Sequence, residues 1–257
     1  MKVIPTLPLA TGAEVPVLGL GTWAVRQSSI IEEALSLGYR HIDTAKYYDN
    51  EREVGHAVRK SGVPRSEIFL TTKLWNTDHE HAMEAIDGSL QRLDMEYVDL
   101  YLIHWPNTDP LQREETWKAM EIIQEKGKAR AIGVSNYDLE LLQEMEQYAE
   151  TVPAMNQIEA NPFSFPKEVI DYCHERSIAV TNYRPLTRGR NDPGALVSAI
   201  AENHRKTSAQ VLLRWGIQLG NIIIPKASSE EHLQQNMDIF DFELSEKEME
   251  DITSLSN

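Results

Sequence analysis

The stretch HIDTAKYYDNE, residues 41–51, joins the end of a short apolar strand to the start of a helix. Asp43 ends the apolar run, Tyr48 follows in a polar loop, and a helical pattern begins at Glu51. A strand that passes through a loop into a helix is the repeating unit of parallel α/β folds. Asp43 and Tyr48 are therefore expected at the carboxyl end of a strand, where such folds carry their functional side chains.

The same alternation of strand and helix continues along the chain. Apolar runs predict strands near residues 17–21, 40–43, 68–72, 98–103, 129–134, 154–158, 178–183 and 221–225. Amphipathic patterns predict helices at 28–37, 51–61, 79–92, 112–126, 138–149, 166–176, 194–205, 207–219, 229–237 and 245–254. Helical crossovers make successive strands parallel, and eight strands are the number that closes a barrel. The pattern predicts an α/β fold, a (β/α)8 TIM barrel.

Two further features lie before and after the barrel in the sequence. Residues 7–16, with Thr11 and Gly12 at the turn, predict an N-terminal β-hairpin, and the last two helices follow the final strand as extra elements. Neither a linker nor a low-complexity stretch interrupts the sequence, so we expect one domain over residues 1–257. An open doubly wound sheet is the alternative, but it needs a GxGxxG turn, and residues 19–23 (GLGTW) match only its start.

Composition limits the environment and the partners. The 257 residues carry a net charge of −15, which disfavours nucleic acid and anionic membranes as partners. We find neither a signal-peptide pattern in residues 1–6 nor an apolar run long enough to span a bilayer, so we expect a cytoplasmic protein. Cys173 is the one cysteine, which excludes an internal disulfide, and its helical pattern predicts a core position.

Two later strands end in residues that complement Asp43 and Tyr48. Lys73 follows the third apolar run and His104 follows the fourth. A phenol with its usual pKa near 10 becomes a better acid if a cation stabilises its ionised form, and a buried carboxylate can hold that cation. These four side chains therefore predict an acid–base site. Each also has an ordinary structural explanation, such as a helix cap for Asp43 or a core position for His104; their shared location favours the site.

Further motifs follow the other strands. They are GLGTW at 19–23, the Lys73-Leu74-Trp75-Asn76 segment, His104-Trp105-Pro106, IGVSNY at 132–137, Asn156-Gln157 and Ile224-Pro225-Lys226. Together with residues 41–51 and in this order, they resemble the aldo-keto reductases over nearly the whole chain. The resemblance implies the eight-stranded barrel and a catalytic tetrad of Asp43, Tyr48, Lys73 and His104. It also implies an NADPH cofactor bound without a Rossmann domain.

The resemblance assigns the remaining site residues. Ser135, Asn136 and Gln157 match the residues that hold the nicotinamide carboxamide, and Tyr183 matches the aromatic that stacks on the nicotinamide ring. Cofactor contacts are implied at Thr22, Trp23, Arg184, Leu186, Lys226, Ser228, His232, Gln235 and Asn236. Substrate-pocket walls are implied at Trp23, Trp75 and Trp105, beside Tyr48 and His104.

Three departures from the family pattern concern residues that bind the cofactor. Arg184 replaces a usual Ser, His232 and Ala227 replace an Arg and a hydroxyl residue near Lys226, and Gln235 replaces a Glu. We expect NADPH to be preferred less strictly, with NADH as a weaker alternative. Arg184, together with Arg188 and Arg190, either closes over the cofactor pyrophosphate or belongs to a solvated loop. His232 either reaches the 2′-phosphate or faces solvent.

The expected function is therefore NADPH-dependent reduction of aldehydes, dicarbonyls or keto-sugars, with Tyr48 as general acid. The connection after His104 is short, and in this the chain resembles the small prokaryotic members of the family that reduce diketo-sugars and glyoxals. We expect a monomer that acts on a small-molecule carbonyl. A non-catalytic binding or structural protein on the same scaffold is the alternative, although such a protein could lose the tetrad. A metal-dependent barrel enzyme has less support, because His79 and His81 point to different faces of a helix.

Overall fold

In a computed structural model of the chain, which describes residues 4–186 and 194–256, parallel strands alternate with helices around a barrel. An antiparallel hairpin, β1 (Thr6–Pro8) and β2 (Glu14–Pro16), precedes it. The barrel strands are β3 (Leu20–Gly21), β4 (His41–Asp43), β5 (Phe69–Leu74), β6 (Val98–Ile103), β7 (Ala129–Ser135), β8 (Met155–Glu159), β9 (Ala179–Tyr183) and β10 (Ile222–Ile223). The predicted fold class and the hairpin are confirmed.

Ten α-helices occur in the described part of the chain. They are α1 (Ser28–Leu37), α2 (Glu51–Lys60), α3 (Ala82–Leu93), α4 (Pro110–Glu125), α5 (Leu139–Met145), α6 (Lys167–Glu175), α7 (Gly194–His204), α8 (Ser208–Gln218), α9 (Glu230–Met237) and α10 (Glu246–Thr253). Cys173 on α6 is buried, and burial raises the pKa of its thiol to about 11. Within the residues described, none of these helices has the length and apolar character needed to cross a membrane.

The barrel closes through backbone hydrogen bonds between its first and last strands. The Gly19 N–H donates to Ile223 O at 2.9 Å, and the Ile223 N–H donates to Val17 O at 2.8 Å. A Cβ atom on Gly21 would lie 2.6 Å from Ile224 O, so this seam requires glycine for the two backbones to approach. Closure at this point brings Trp23, which follows β3, to the same rim as Lys226, which follows β10.

The interior of the barrel changes character along its axis. At the amino-terminal end the strands contribute an apolar cluster to which the hairpin adds Leu9 and Val15; the strand residues are Phe69, Leu100, Leu102, Ala131, Met155, Ala179 and Ile222. At the opposite end the buried side chains are polar and include Asp43, Lys73 and Gln157. The hairpin therefore seals one end, and the chemistry is confined to the end where the strands exit.

Several element boundaries differ from the sequence expectation, and three of these differences have a clear local reason. β5 extends to Leu74, so Lys73 lies within a strand and projects into the barrel instead of following the strand. A 3₁₀ segment, Asn76–His81, delays the start of α3 to Ala82. β10 is confined to Ile222–Ile223, because Pro225 lacks the N–H that would continue its ladder.

His41 connects the hairpin to the barrel wall and is fully buried. Its Nδ1–H donates to Pro16 O at 3.2 Å, and its ring packs edge-on against Phe69 with centroids 5.2 Å apart. Burial lowers the pKa of His41 to about 4, although the Asp43 carboxylate acts in the opposite direction. The folded protein therefore holds this imidazole neutral where the unfolded chain protonates it.

The buried His41 imidazole should make the free energy of unfolding depend on pH. The pKa of His41 is about 6.5 in the unfolded chain and about 4 in the folded protein. The stability that the neutral imidazole contributes is therefore complete above pH 6.5 and is lost as the pH falls from about 6.5 to about 4. The loss amounts to about 3 kcal/mol. Urea unfolding between pH 7.5 and pH 4.5 measures it, and His41→Gln should show a smaller loss than wild type. His56→Gln, at an exposed histidine, is the control; equal losses in His41→Gln and wild type would contradict this account.

Candidate active site

Four residues from neighbouring strands meet at the carboxyl end of the barrel. Asp43 ends β4, Lys73 lies in β5, His104 follows β6, and Tyr48 lies in the short 3₁₀ turn Lys46–Tyr48 after β4. The Lys73 ammonium donates to Asp43 Oδ1 at 2.6 Å, to Thr44 O at 2.9 Å and to Tyr48 Oη at 3.2 Å. The ammonium thus joins the carboxylate to the phenol, as an acid–base site requires. We call Asp43, Tyr48, Lys73 and His104 the acid–base cluster.

The Lys73–Asp43 ion pair is removed from solvent, with the two side chains 0% and 1% exposed. The three ammonium protons have the three acceptors given above, and the second Asp43 oxygen accepts from Gln157 Nε2 at 2.7 Å. Burial acts to lower the pKa of Lys73, but the Asp43 carboxylate and the Tyr48 hydroxyl outweigh it and the net direction is upward. Lys73 is therefore a permanent cation next to the phenol.

Tyr48 and His104 are both uncharged at neutral pH. Burial raises the pKa of Tyr48 above its ordinary value, and the Lys73 ammonium acts against this increase without reversing it. The sequence predicts that Lys73 lowers the pKa of Tyr48; the effect of Lys73 has that sign, but the opposing effect of desolvation is larger. Burial, reinforced by Lys73, lowers the pKa of His104 to about 3. The site thus presents a protonated phenol and a neutral imidazole, whose rings lie edge-to-face with centroids 5.7 Å apart.

A cavity of about 1130 Å³ opens above the acid–base cluster. Aromatic side chains line the part nearest the cluster, namely Trp23, Tyr47, Tyr48, Trp75, His104, Trp105 and Tyr183. Polar side chains also line the cavity. Asp43, Ser135, Asn136 and Gln157 do so at the acid–base cluster. The remainder is lined by the polar side chains of Glu159, Arg184, Thr207, Lys226, His232, Gln235 and Asn236 together with apolar residues such as Leu186. The cavity therefore runs from an aromatic mouth over Tyr48 to a polar end beside α9.

The predicted carboxamide residues form one hydrogen-bonded network. The Ser135 hydroxyl donates to Gln157 O at 2.7 Å, and the Asn136 amide donates to His104 O at 2.9 Å and to Ser135 Oγ at 3.0 Å. The Tyr183 hydroxyl donates to Asn136 Oδ1 at 2.7 Å. Because Gln157 also donates to Asp43, this network is continuous with the acid–base cluster.

The other predicted cofactor residues fall into two groups. Leu186, Lys226, His232, Gln235 and Asn236 line the cavity, the last three from α9, whose N-cap Ser229 accepts from the His232 N–H at 3.3 Å. Thr22 and Ser228 do not line it. The Thr22 hydroxyl is buried and donates to Asp43 O at 2.9 Å, whereas Ser228 is exposed.

Arg184 lies on the cavity wall but is paired with a carboxylate. Its Nη1 lies 2.8 Å from Glu159 Oε2, and its backbone has the left-handed conformation, with φ of 51°. Both side chains remain partly exposed. Arg188 and Arg190 lie outside the described residues, so the predicted arginine loop is represented in the structure by Arg184 alone.

Three polar or aromatic residues that line the cavity have no role in the sequence prediction. Glu159 lies two residues beyond Gln157 on β8, and the two-residue period of a strand places both on one face, which was a usable signal. Tyr47 precedes Tyr48, but adjacency alone does not indicate that its ring enters the cavity. Thr207 caps α8, and only the packing of α8 beside α9 brings it to the cavity.

Comparison with known proteins agrees with this geometry. The sequence profile of the aldo/keto reductase family matches residues 17–257. A glyoxal reductase of Bacillus subtilis is 42% identical over 257 residues, covering 98% of this chain and 92% of its own length. A morphine 6-dehydrogenase of Pseudomonas putida is 40% identical over 269 residues, covering 98% and 91%.

A solved structure agrees as closely. The crystal structure of an aldo/keto reductase from Brucella melitensis matches with a TM-score of 0.93 at 42% identity, covering 98% of this chain and 100% of that chain. Family profile, sequence relatives and fold therefore lead to one assignment. This chain belongs to the aldo/keto reductase family and is an oxidoreductase that acts on carbonyl groups.

Proposed function

We propose that the protein is an NADPH-dependent carbonyl reductase that converts aldehydes, dicarbonyls or keto-sugars to alcohols, with Tyr48 as general acid. The observation that carries this proposal is the position of the Tyr48 hydroxyl, which lines the cavity 3.2 Å from the Lys73 ammonium. The relatives named glyoxal reductase and morphine 6-dehydrogenase support chemistry between a carbonyl and an alcohol. A non-catalytic binding protein would not need a fully bonded buried ion pair beneath the cavity floor.

The acid–base cluster has the groups that reduction requires. A carbonyl oxygen develops negative charge as its carbon is reduced, and it needs a proton and nearby hydrogen-bond donors. Tyr48 gives its proton to this oxygen, and the Lys73 ammonium stabilises the phenolate that remains. Neutral His104 offers a ring N–H that can orient the oxygen without a competing charge. Asp43 holds the ammonium and does not itself transfer a proton.

The cavity residues fit a nicotinamide dinucleotide. Amide and hydroxyl groups of Ser135, Asn136 and Gln157 lie at the end next to the acid–base cluster, and the exposed cation of Lys226 lies at the α9 end of the same cavity. The bound cofactor would supply the hydride that reduces the carbonyl carbon. Asn136 Oδ1 accepts from the Tyr183 hydroxyl and has a second lone pair that can accept from the carboxamide N–H.

We also propose that residues 1–257 form one domain that acts as a cytoplasmic monomer. One apolar core contains residues as distant in sequence as Ile4 and Ile239, which supports a single domain. One copy of the chain holds all four side chains of the acid–base cluster and the polar groups that line the cavity, so it has a full set of the groups that the proposed chemistry uses.

Removing the Tyr48 hydroxyl should abolish most of the reduction. Tyr48→Phe should lower kcat by about a hundredfold or more, as expected for the loss of a general acid, with little change in the cofactor dissociation constant. Turnover of NADPH with methylglyoxal measures kcat, and fluorescence titration measures cofactor binding. Tyr172→Phe removes a phenol bonded to Glu146, away from the cavity, and is the control. Full activity in Tyr48→Phe would contradict the mechanism.

Arg184 should contribute to cofactor binding in competition with Glu159. Arg184→Ala should raise the NADPH dissociation constant, most at low salt, because the guanidinium would otherwise approach the pyrophosphate. Glu159→Gln frees the guanidinium and should lower that constant. In the Arg184→Ala background the effect of Glu159→Gln should disappear, which a double-mutant cycle measures. Additive effects of the two substitutions would show that Arg184 does not bind the cofactor in competition with Glu159.

Preference for NADPH over NADH should rest on Lys226 and increase with a second cation. A charge-assisted hydrogen bond contributes roughly 1.5–3 kcal/mol, so His232→Arg should raise the NADPH-over-NADH ratio of kcat/KM about ten- to a hundredfold. Lys226→Ala should bring the ratio down toward unity. His56→Arg adds the same charge at another exposed histidine and controls for net charge. An equal rise in His56→Arg would show that only long-range charge is involved.

A further inference from the structure

Tyr47 occupies an unusual position at the mouth of the cavity. Its ring is stacked on Trp75, with centroids 3.9 Å apart and planes 18° apart, and on Trp23, with centroids 5.6 Å apart and planes 7° apart. Trp23, Tyr47 and Trp75 follow β3, β4 and β5, which are consecutive strands of the barrel. The ring from the middle strand therefore lies between the rings from its two neighbours. We call these three side chains the aromatic stack.

The turn that carries Tyr47 is held on both sides. The Lys46 ammonium forms an ion pair with Asp78, which lies in the 3₁₀ segment that follows Trp75. Asp49 ends the turn with φ of 53°, and Arg26 Nη1 donates to Asp49 O at 3.0 Å. Because Lys46 and Asp78 link the segments that carry Tyr47 and Trp75, the spacing of these two rings is fixed by more than their own contact.

The aromatic stack borders the acid–base cluster directly. Trp23 meets the Tyr48 ring edge-on at 5.1 Å, and Tyr47 and Trp75 meet the His104 ring edge-on at 6.2 Å and 5.2 Å. Tyr47 stacks on a tryptophan from each neighbouring strand and lines the cavity, and half of its surface remains exposed. A planar substrate ring therefore has no free slot between the two tryptophans, because Tyr47 already fills it.

We propose that Tyr47 determines substrate size by filling the slot between Trp23 and Trp75, so that small aliphatic carbonyls and dicarbonyls are accepted and fused aromatic carbonyls are excluded. The inference rests on the proposed reduction at Tyr48 and adds the substrate class to it. Shortening Tyr47 opens a slot with two parallel tryptophan walls beside His104. Offset stacking on such walls is favourable for a planar ring, so the open slot gains affinity for one.

Competing substrates test this proposal. The kcat/KM ratio of 2-naphthaldehyde to methylglyoxal should rise about tenfold or more in Tyr47→Ala, within the range that pocket size usually contributes. Tyr47→Phe retains the stacked ring and should keep the wild-type ratio. A Tyr47→Ala ratio equal to that of wild type would overturn the proposal, as would an equal rise in Tyr47→Phe.

A binding measurement separates this proposal from the proposed function. Quenching of tryptophan fluorescence by 2-naphthalenemethanol should show saturable binding to Tyr47→Ala and not to wild type or Tyr47→Phe. If wild type reduces methylglyoxal but Tyr47→Ala neither binds the naphthalene alcohol nor changes its substrate ratio, the slot proposal alone is wrong. If Tyr47→Ala binds the alcohol and no variant reduces any carbonyl, the slot is supported and the proposed function is wrong.

Discussion

The buried ion pair between Lys73 and Asp43 is the interaction on which the site depends. Removing two charges from water costs several kcal/mol per ion unless geometry and hydrogen bonds compensate. Compensation here comes from Thr44 O, the Tyr48 hydroxyl and the Gln157 amide, which complete the bonding of both ions. These partners come from β8 and from the segment after β4, so the barrel must form correctly before the charges are satisfied.

The barrel separates this polar cluster from the part that stabilises the fold. Its amino-terminal end is filled by apolar side chains and sealed by the hairpin, which His41 connects to the wall through Pro16. Polar side chains are tolerated at the other end, where the strands exit, because neighbouring residues supply hydrogen-bond partners for them. Desolvation at that end keeps Tyr48 protonated and His104 neutral, which are the states that the proposed proton transfer to a carbonyl requires.

Periodicity and motif order predicted the architecture because both are local properties of the chain. The α1 range 28–37 was predicted as observed, and the strand ending at Asp43 was placed correctly. Burial and pairing between distant segments could not be read in the same way. The increase in the pKa of Tyr48 depends on neighbours that only the closed barrel brings together. The same holds for the Arg184–Glu159 ion pair and for the stacking of Tyr47 on Trp75. Thr22 depends on the same long-range pairing: its motif predicts a cofactor contact, and in the closed barrel its hydroxyl donates to Asp43 O.

We propose that the Lys73–Asp43 ion pair makes Tyr48 a competent acid. The double variant Asp43→Asn/Lys73→Met removes both charges together, so no lone charge is left buried, and it retains Tyr48 and the cavity. Its kcat for NADPH-dependent reduction of methylglyoxal, measured beside its unfolding free energy and its NADPH dissociation constant, is the decisive quantity. We expect kcat to fall by about a hundredfold or more, with folding and cofactor binding preserved. A folded double variant that binds NADPH and turns over at the wild-type rate would contradict this proposal.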